Sequence, residues 1–189
     1  MGRRFDSIQV EHDAFIRRQH MFFVASAPLS PEGHVNLSPK GYDTFRILSS
    51  TEVAYLDLTG SGNETSAHLM ENGRITVMFT AFEGPPMIVR LFGTGSVVLP
   101  HMEEWDSLIG QFNSLPGVRQ IIKVQVDLVT SSCGFSIPFF AYQGEREQLI
   151  KWADGLDEEQ LEQYRAKKND VSIDQMPTPL GERRMSGRN

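Results

Sequence analysis

The sequence predicts a mainly β protein, a small antiparallel barrel with flanking α helices, and three observations carry that reading. Segments 21–27, 34–39, 44–48, 53–58, 74–82, 87–99 and 118–129 are rich in β-branched and aromatic residues. Pro and Gly punctuate them: Pro31-Glu32-Gly33 and Glu83-Gly84-Pro85-Pro86 read as hairpin connections. In the last segment Val118, Ile122, Val124, Val126 and Leu128 alternate with Arg119, Lys123, Gln125 and Asp127, which predicts one buried and one wet face. Short strands of this kind leave exposed edges unless the sheet closes on itself, so a barrel is favoured. Gly93-Thr94-Gly95 inside the long strand marks a bend or bulge. No strand, Gly-rich turn and helix follow one another as a dinucleotide fold requires.

Helices are predicted around this series. Asp13 is a plausible N-cap for a short helix to Gln19, and residues 64–72 form a helix stopped by Gly73. Residues 102–112 carry Trp105, Leu108, Ile109 and Phe112 at helical spacing, an apolar stripe that needs a sheet or partner. That stripe and the strand edges predict a homodimer. Helices at 145–152 and 158–168 bury Leu149, Trp152, Leu161 and Tyr164, and 171–189 is either disordered or pinned on another surface. The division expected is a barrel domain over 1–140 and C-terminal helices with an extended tail over 141–189, packing on the barrel or on a partner.

Composition narrows the function. At 189 residues and 40% hydrophobic content the chain suits one globular core, and 18 basic against 24 acidic residues give no footprint for nucleic acid or an anionic membrane. Cys133 is the sole cysteine, so neither an intrachain disulfide nor a cysteine-rich zinc site is available, and a reducing compartment fits. No apolar run of signal length follows Met1 to Asp6, so the expected location is cytoplasmic. His12, His20, His34 and His101 lack metal-ligand spacing, Ser131 lacks a hydrolase elbow, and Cys133 has no basic neighbour. No metal is expected and no catalytic residue is identified.

Two segments carry the candidate chemistry. In His34 to Gly41, Asn36, Ser38 and Lys40 share one strand face, and Pro39 places the strand at an edge or rim where a cofactor reaches backbone groups. An ordinary edge strand with a surface lysine explains the same residues. In the second segment, Asn63 or Glu64 caps a helix whose first-turn amides, with the hydroxyls of Thr65 and Ser66, form an anion seat. Glu64 would repel a phosphate there unless it points away or pairs with Lys40 or Arg46. Simple capping also accounts for Asn63 and Thr65 without a ligand. His68, one turn beyond Glu64, is expected to close the helix face over the barrel.

With those residues in view, His34-Val35-Asn36-Leu37-Ser38-Pro39-Lys40-Gly41, Val53 to Asp57, Glu71 to Phe79 and Arg90 to Gly95 resemble the pyridoxamine 5'-phosphate oxidase-like, flavin-binding split barrels. The resemblance spans roughly residues 12 to 140 in the right order. Gly134-Phe135-Ser136-Ile137-Pro138 and Asn169 to Asp174 resemble the ending of one uncharacterised branch. It implies a homodimer of six-stranded split barrels with FMN in clefts at the subunit interface. It also implies that the strand Val35 to Lys40 runs along the flavin ring and that the turn Asn63, Glu64, Thr65 and Ser66 receives the phosphate. The family's true oxidases carry basic residues in that turn and an Arg-x-His motif in the tail, and this chain has neither. The function expected is therefore an FMN-dependent oxidoreductase on a small molecule other than pyridoxamine phosphate. A deazaflavin in place of FMN, or a non-catalytic dimer holding flavin or haem, is the alternative.

Overall fold

The structure, a computed structural model, describes residues 2–187; the first residue and the last two of the tail lie outside the described residues. Eight strands form one antiparallel sheet: β1 (Arg3–Phe5), β2 (Phe22–Ser26), β3 (Asn36–Lys40), β4 (Phe45–Ser49), β5 (Glu52–Leu58), β6 (Arg74–Thr80), β7 (Ile88–Val98) and β8 (Val118–Ser132). Their order is β3-β2-β6-β7-β8-β5-β4, with β1 added alongside β8. All the strand segments read from the sequence are present. The eighth, β1, is too short and too exposed to show a period.

The path is open, but the sheet curls. Phe45 of β4, at one end, meets Phe79 of β6 edge-on at 4.9 Å and Phe22 of β2 at 5.2 Å, near the other end. Strands far apart in hydrogen-bonding order thus share one core, with Val24, Tyr55, Val77, Leu91, Ile122 and Val124 fully buried between them. That is the split-barrel geometry: side chains close the barrel where backbone pairing does not. β3 is an edge strand, as Pro39 required.

The bulge expected at Gly93 is real. The β7–β8 register shifts between Phe92 and Gly93, where a Cβ would stand 2.0 Å from the Gln125 carbonyl oxygen. Only glycine tolerates that approach.

Six helices complete the described chain: α1 (Val10–Ile16), α2 (Glu64–Asn72), α3 (Trp105–Ile109), α4 (Gln148–Asp154), α5 (Glu158–Lys168) and α6 (Pro179–Met185). α2 and α5 match their expected limits. α1 starts earlier than Asp13 because Gln9 is the N-cap and the His12 Nδ1 accepts its backbone N–H at 3.2 Å; Asp13 instead pairs with Arg17 at 2.7 Å. α3 is shorter than its stripe. Trp105, Ile109 and Phe112 pack with Leu108 on a second apolar cluster around Ala54, Leu56, Val98 and Ile121 of the same chain, so this stripe is covered without a partner. The apolar groups left open on the β3 edge are Leu37 and, just before the strand, Val35, 65% and 74% exposed.

The tail is pinned rather than free as far as residue 187. Asp157 caps α5 by accepting the Gln160 N–H at 2.8 Å. Arg165, buried on α5, reaches the Thr59 hydroxyl at 3.0 Å and the Val118 carbonyl at 3.2 Å. Beyond it, Val171 and Pro177 form a small bridge, and α6 closes the segment. Among the described residues no helix is long and apolar enough to cross a membrane.

Candidate functional site

The two candidate segments, far apart on the sheet path, converge at one end of the barrel. Asn36 on β3 donates to the Thr65 hydroxyl at 3.0 Å, and Ser38 donates to Asn36 Oδ1 at 3.0 Å. Lys40 follows on the same face. Its Nζ donates to Asp57 of β5 at 2.7 Å, and it lies 5.9 Å from the centre of the buried Tyr55 ring. Pro39 faces Phe23 across the β2–β3 ladder and lines an adjoining cavity with Lys40.

Asp57 is the hub. Besides Lys40 it accepts from Arg119 Nε at 2.9 Å and Gln120 Nε2 at 2.7 Å. Burial alone would raise its carboxyl, but the Arg119 charge and then Lys40 outweigh burial and hold it well below the usual carboxylate range. Gln120 also donates to Asn63 Oδ1 at 2.8 Å and accepts from the Ser66 hydroxyl at 3.2 Å. One amide thus connects the hub to the start of α2. Burial, with the Asp57 charge next, pushes the Tyr55 phenol far up, so it stays protonated.

Simple capping does not describe Asn63 and Thr65. Asn63 makes no side-chain bond to the first turn of α2: its oxygen accepts from Gln120, and its nitrogen donates to the Asn169 carbonyl at 3.2 Å. Thr65 accepts from Asn36. The first-turn amides are therefore left without a side-chain cap, the condition for an anion seat. The Glu64 carboxylate accepts the Ile173 N–H at 2.9 Å and so is held by the tail rather than by Lys40 or Arg46, and Arg46 is engaged by Asp43 at 2.6 Å. Two buried donors of the same network are orphaned among the described residues, the Tyr55 hydroxyl and Arg119 Nη1.

The tail forms the roof. Asn169 donates to the Gly60 carbonyl at 2.9 Å, and Asp174 accepts from both the His34 N–H, at 2.8 Å, and its Nδ1, at 2.6 Å. That contact raises the His34 imidazolium and lowers the Asp174 carboxyl. His68 is structural, as expected: it is buried, with Nδ1 at 2.9 Å from the Ser26 hydroxyl.

Three residues of the site escaped the sequence reading. Arg119 was expected on the wet face of β8, yet it is only 5% exposed, because the β5–β8 register shifts beside Asp57 and turns it inward. Gln120 and Asp57 sit within otherwise apolar strand runs. A carboxylate inside Val53 to Leu58 and an Arg-Gln pair at the head of β8 were the available signals.

A cavity of about 1180 Å³ adjoins Lys40, walled by the chain after α1, the β6–β7 connection and the extended stretch Phe140 to Arg146. The site is thus a polar network with an uncapped helix start, opening through Lys40 onto a large cleft at a barrel edge.

These features define a split barrel of the β class, and comparison with known proteins gives its family. The model of the pyridoxamine 5'-phosphate oxidase family matches residues 8–133, and this chain belongs to that family. The pyridoxamine 5'-phosphate oxidase family protein ustO of Aspergillus flavus is 38% identical over 177 residues, covering 85% of this chain and 71% of that protein. A putative pyridoxamine 5'-phosphate oxidase from Lactobacillus delbrueckii has a similar fold, with a TM-score of 0.51 at 12% identity over 66% of this chain and 94% of that one. So does HutZ, the haem storage protein of Vibrio cholerae, with a TM-score of 0.50 at 15% identity over 68% of this chain and 97% of its own.

Proposed function

We propose that this protein is an FMN-binding flavoprotein, a cytoplasmic homodimer that oxidises or reduces a small molecule other than pyridoxamine phosphate. The observation that carries the reading is the uncapped start of α2, joined through Asn36, Ser38, Lys40, Asp57 and Gln120 to the edge strand. The residues fit a flavin phosphate: the α2 first-turn amides and the Thr65 hydroxyl, which is the acceptor in its bond from Asn36, are its donors, the Ser66 hydroxyl being spent on Gln120, and the orphaned Arg119 Nη1 supplies positive charge in the same network. A bound flavin would supply the hydride chemistry.

The chain's own residues bind, orient and shield. Asn36 holds the Thr65 hydroxyl in place, Gln120 fixes Asn63 and Ser66, and the Asn169 to Asp174 roof keeps water from the turn. The tail's lack of an Arg-x-His motif speaks against pyridoxamine phosphate as the substrate. The open Val35 and Leu37 edge supports a second copy as its cover.

The test is to denature purified protein, identify the released small molecule by mass spectrometry, and titrate the apo protein with FMN and riboflavin. FMN release, with FMN bound at least tenfold more tightly than riboflavin, is expected. No flavin release together with no FMN binding would overturn the reading. The alternative is a non-catalytic dimer that holds haem, favoured by the fold shared with HutZ; it predicts a haem absorption band and no response to FMN.

A further inference from the structure

The cavity beside Lys40 says what kind of molecule the protein takes. Among its lining groups Arg17, Arg18, Lys40 and Arg146 are cationic, and Glu83 and Glu145 are acidic. Both acids are already engaged by one residue, Tyr142: Glu83 accepts its N–H at 2.7 Å and Glu145 its hydroxyl at 3.0 Å. Arg17 is neutralised by Asp13, and Lys40 by Asp57. Arg18 and Arg146 are different. Both are exposed, and among the described residues neither guanidinium has a hydrogen-bond or ionic partner.

The same walls carry aromatic rings. His20 and Tyr142 stack face to face, with centroids 3.6 Å apart and planes within 4°, and Phe140 packs on Phe82 at 5.4 Å. The stretch bearing these rings is tied down by the Tyr42 hydroxyl on the Arg146 carbonyl at 2.5 Å and by the Phe140 N–H on the Phe82 carbonyl at 3.1 Å. A ring-lined cleft of this size, with two unpaired guanidinium forks on its wall, suits a flat ligand bearing an acid group.

We infer that the cavity is the substrate pocket and that its substrate is an aromatic compound carrying a carboxylate or similar anion, held by Arg18 and Arg146 against the His20–Tyr142 and Phe82–Phe140 pairs. This rests on the flavin reading only for the word substrate. The binding preference stands on the cavity itself.

The experiment is calorimetric titration with 2-naphthoate and its neutral match 2-naphthamide, on apo protein and on protein saturated with FMN. The acid is expected to bind at least tenfold more tightly than the amide in both states. Replacing both Arg18→Gln and Arg146→Gln should abolish that preference while leaving amide affinity unchanged, and Phe140→Ala, which removes a ring and no polar group, should weaken acid and amide alike. Equal affinities in the unaltered protein, no binding of either probe, survival of the preference in the double variant, or displacement of FMN by naphthoate would each overturn the proposal. An intact acid preference in a protein that does not bind FMN overturns the flavin reading alone; FMN binding without an acid preference overturns this one alone.

Discussion

Replacing Asp57→Asn should be among the most damaging single-atom changes in the protein. Among the described residues Asp57 is the only anion between Lys40 and Arg119, and its carboxylate receives bonds of 2.7 and 2.9 Å from their nitrogens and 2.7 Å from Gln120. The side chains of Lys40 and Arg119 are 22% and 4% exposed, so water does not replace the lost counter-charge. Removing one member of a buried ion pair costs about 3 to 5 kcal/mol. The asparagine oxygen still accepts one hydrogen bond, returning about 1 kcal/mol. The net expectation is a loss of about 2 to 4 kcal/mol, or roughly 4 to 16 °C in melting temperature for a chain of this size.

The assay is urea unfolding of the ligand-free protein, run for Asp57→Asn, Arg119→Met and the double variant. The double variant should lose less than the sum of the singles, by about 1.5 to 3 kcal/mol, because the second change removes a charge that the first left unpaired. A loss below about 1 kcal/mol for Asp57→Asn, or additive losses, would show that the hub is not what holds this end of the barrel together. The pH dependence gives an independent check. Asp57 titrates lower in the fold than in the unfolded chain, so its stabilisation is present above about pH 3.9 and disappears as the pH falls through its folded value.

Lys40→Met should lower ligand-free stability by about 1 to 2 kcal/mol, since Arg119 and Gln120 remain on Asp57, and a thermal melt without cofactor reads it; an unchanged melt would mean that the ion pair contributes nothing. Burial lowers the imidazolium affinity of both His12 and His68, so the unfolded chain takes up protons first below about pH 6.5 and stability falls on acidification from there, by at most about 1.4 kcal/mol per pH unit for each. Urea midpoints at pH 7.5 and 5.5 would show it, and equal midpoints would refute it. Asp174→Asn should return the His34 pKa toward its ordinary value by NMR titration and speed proteolysis of the segment after α5, whereas an unmoved His34 would deny the contact. Gly93→Ala should cost about 3 kcal/mol or more, because the clashing atom is a backbone oxygen that cannot turn aside; soluble protein with a wild-type melt would contradict the bulge geometry.

The strands were legible because period and punctuation are local, and α2 and α5 because Gly73 and Asp157 are unambiguous end signals. α1 was misplaced because Asp13 looks like a cap in sequence but serves as the i,i+4 partner of Arg17, while a glutamine does the capping. At the site, Asn36, Ser38 and Lys40 were legible as one face of a strand. Their meeting with Thr65 and Ser66 was not, since it depends on how the sheet curls. The pairing of Lys40 with Asp57 was not legible either, because it joins β3 to β5 across the curl of the sheet. The register shift that buries Arg119 leaves no trace in an alternating pattern, and the Phe140 to Arg146 wall follows no period at all.

The roof over α2 bears on how the chain folds. Its contacts join residues 106, 109 and 140 positions apart, from Asn63, Glu64 and His34 to the far end of the polypeptide. Every strand ends by Ser132, so the roof adds nothing to the sheet and can be laid on after the strands have paired. Contacts of such long sequence separation form late. Until the roof is in place the start of α2 is uncovered, and lifting the roof from the finished fold would break no strand ladder.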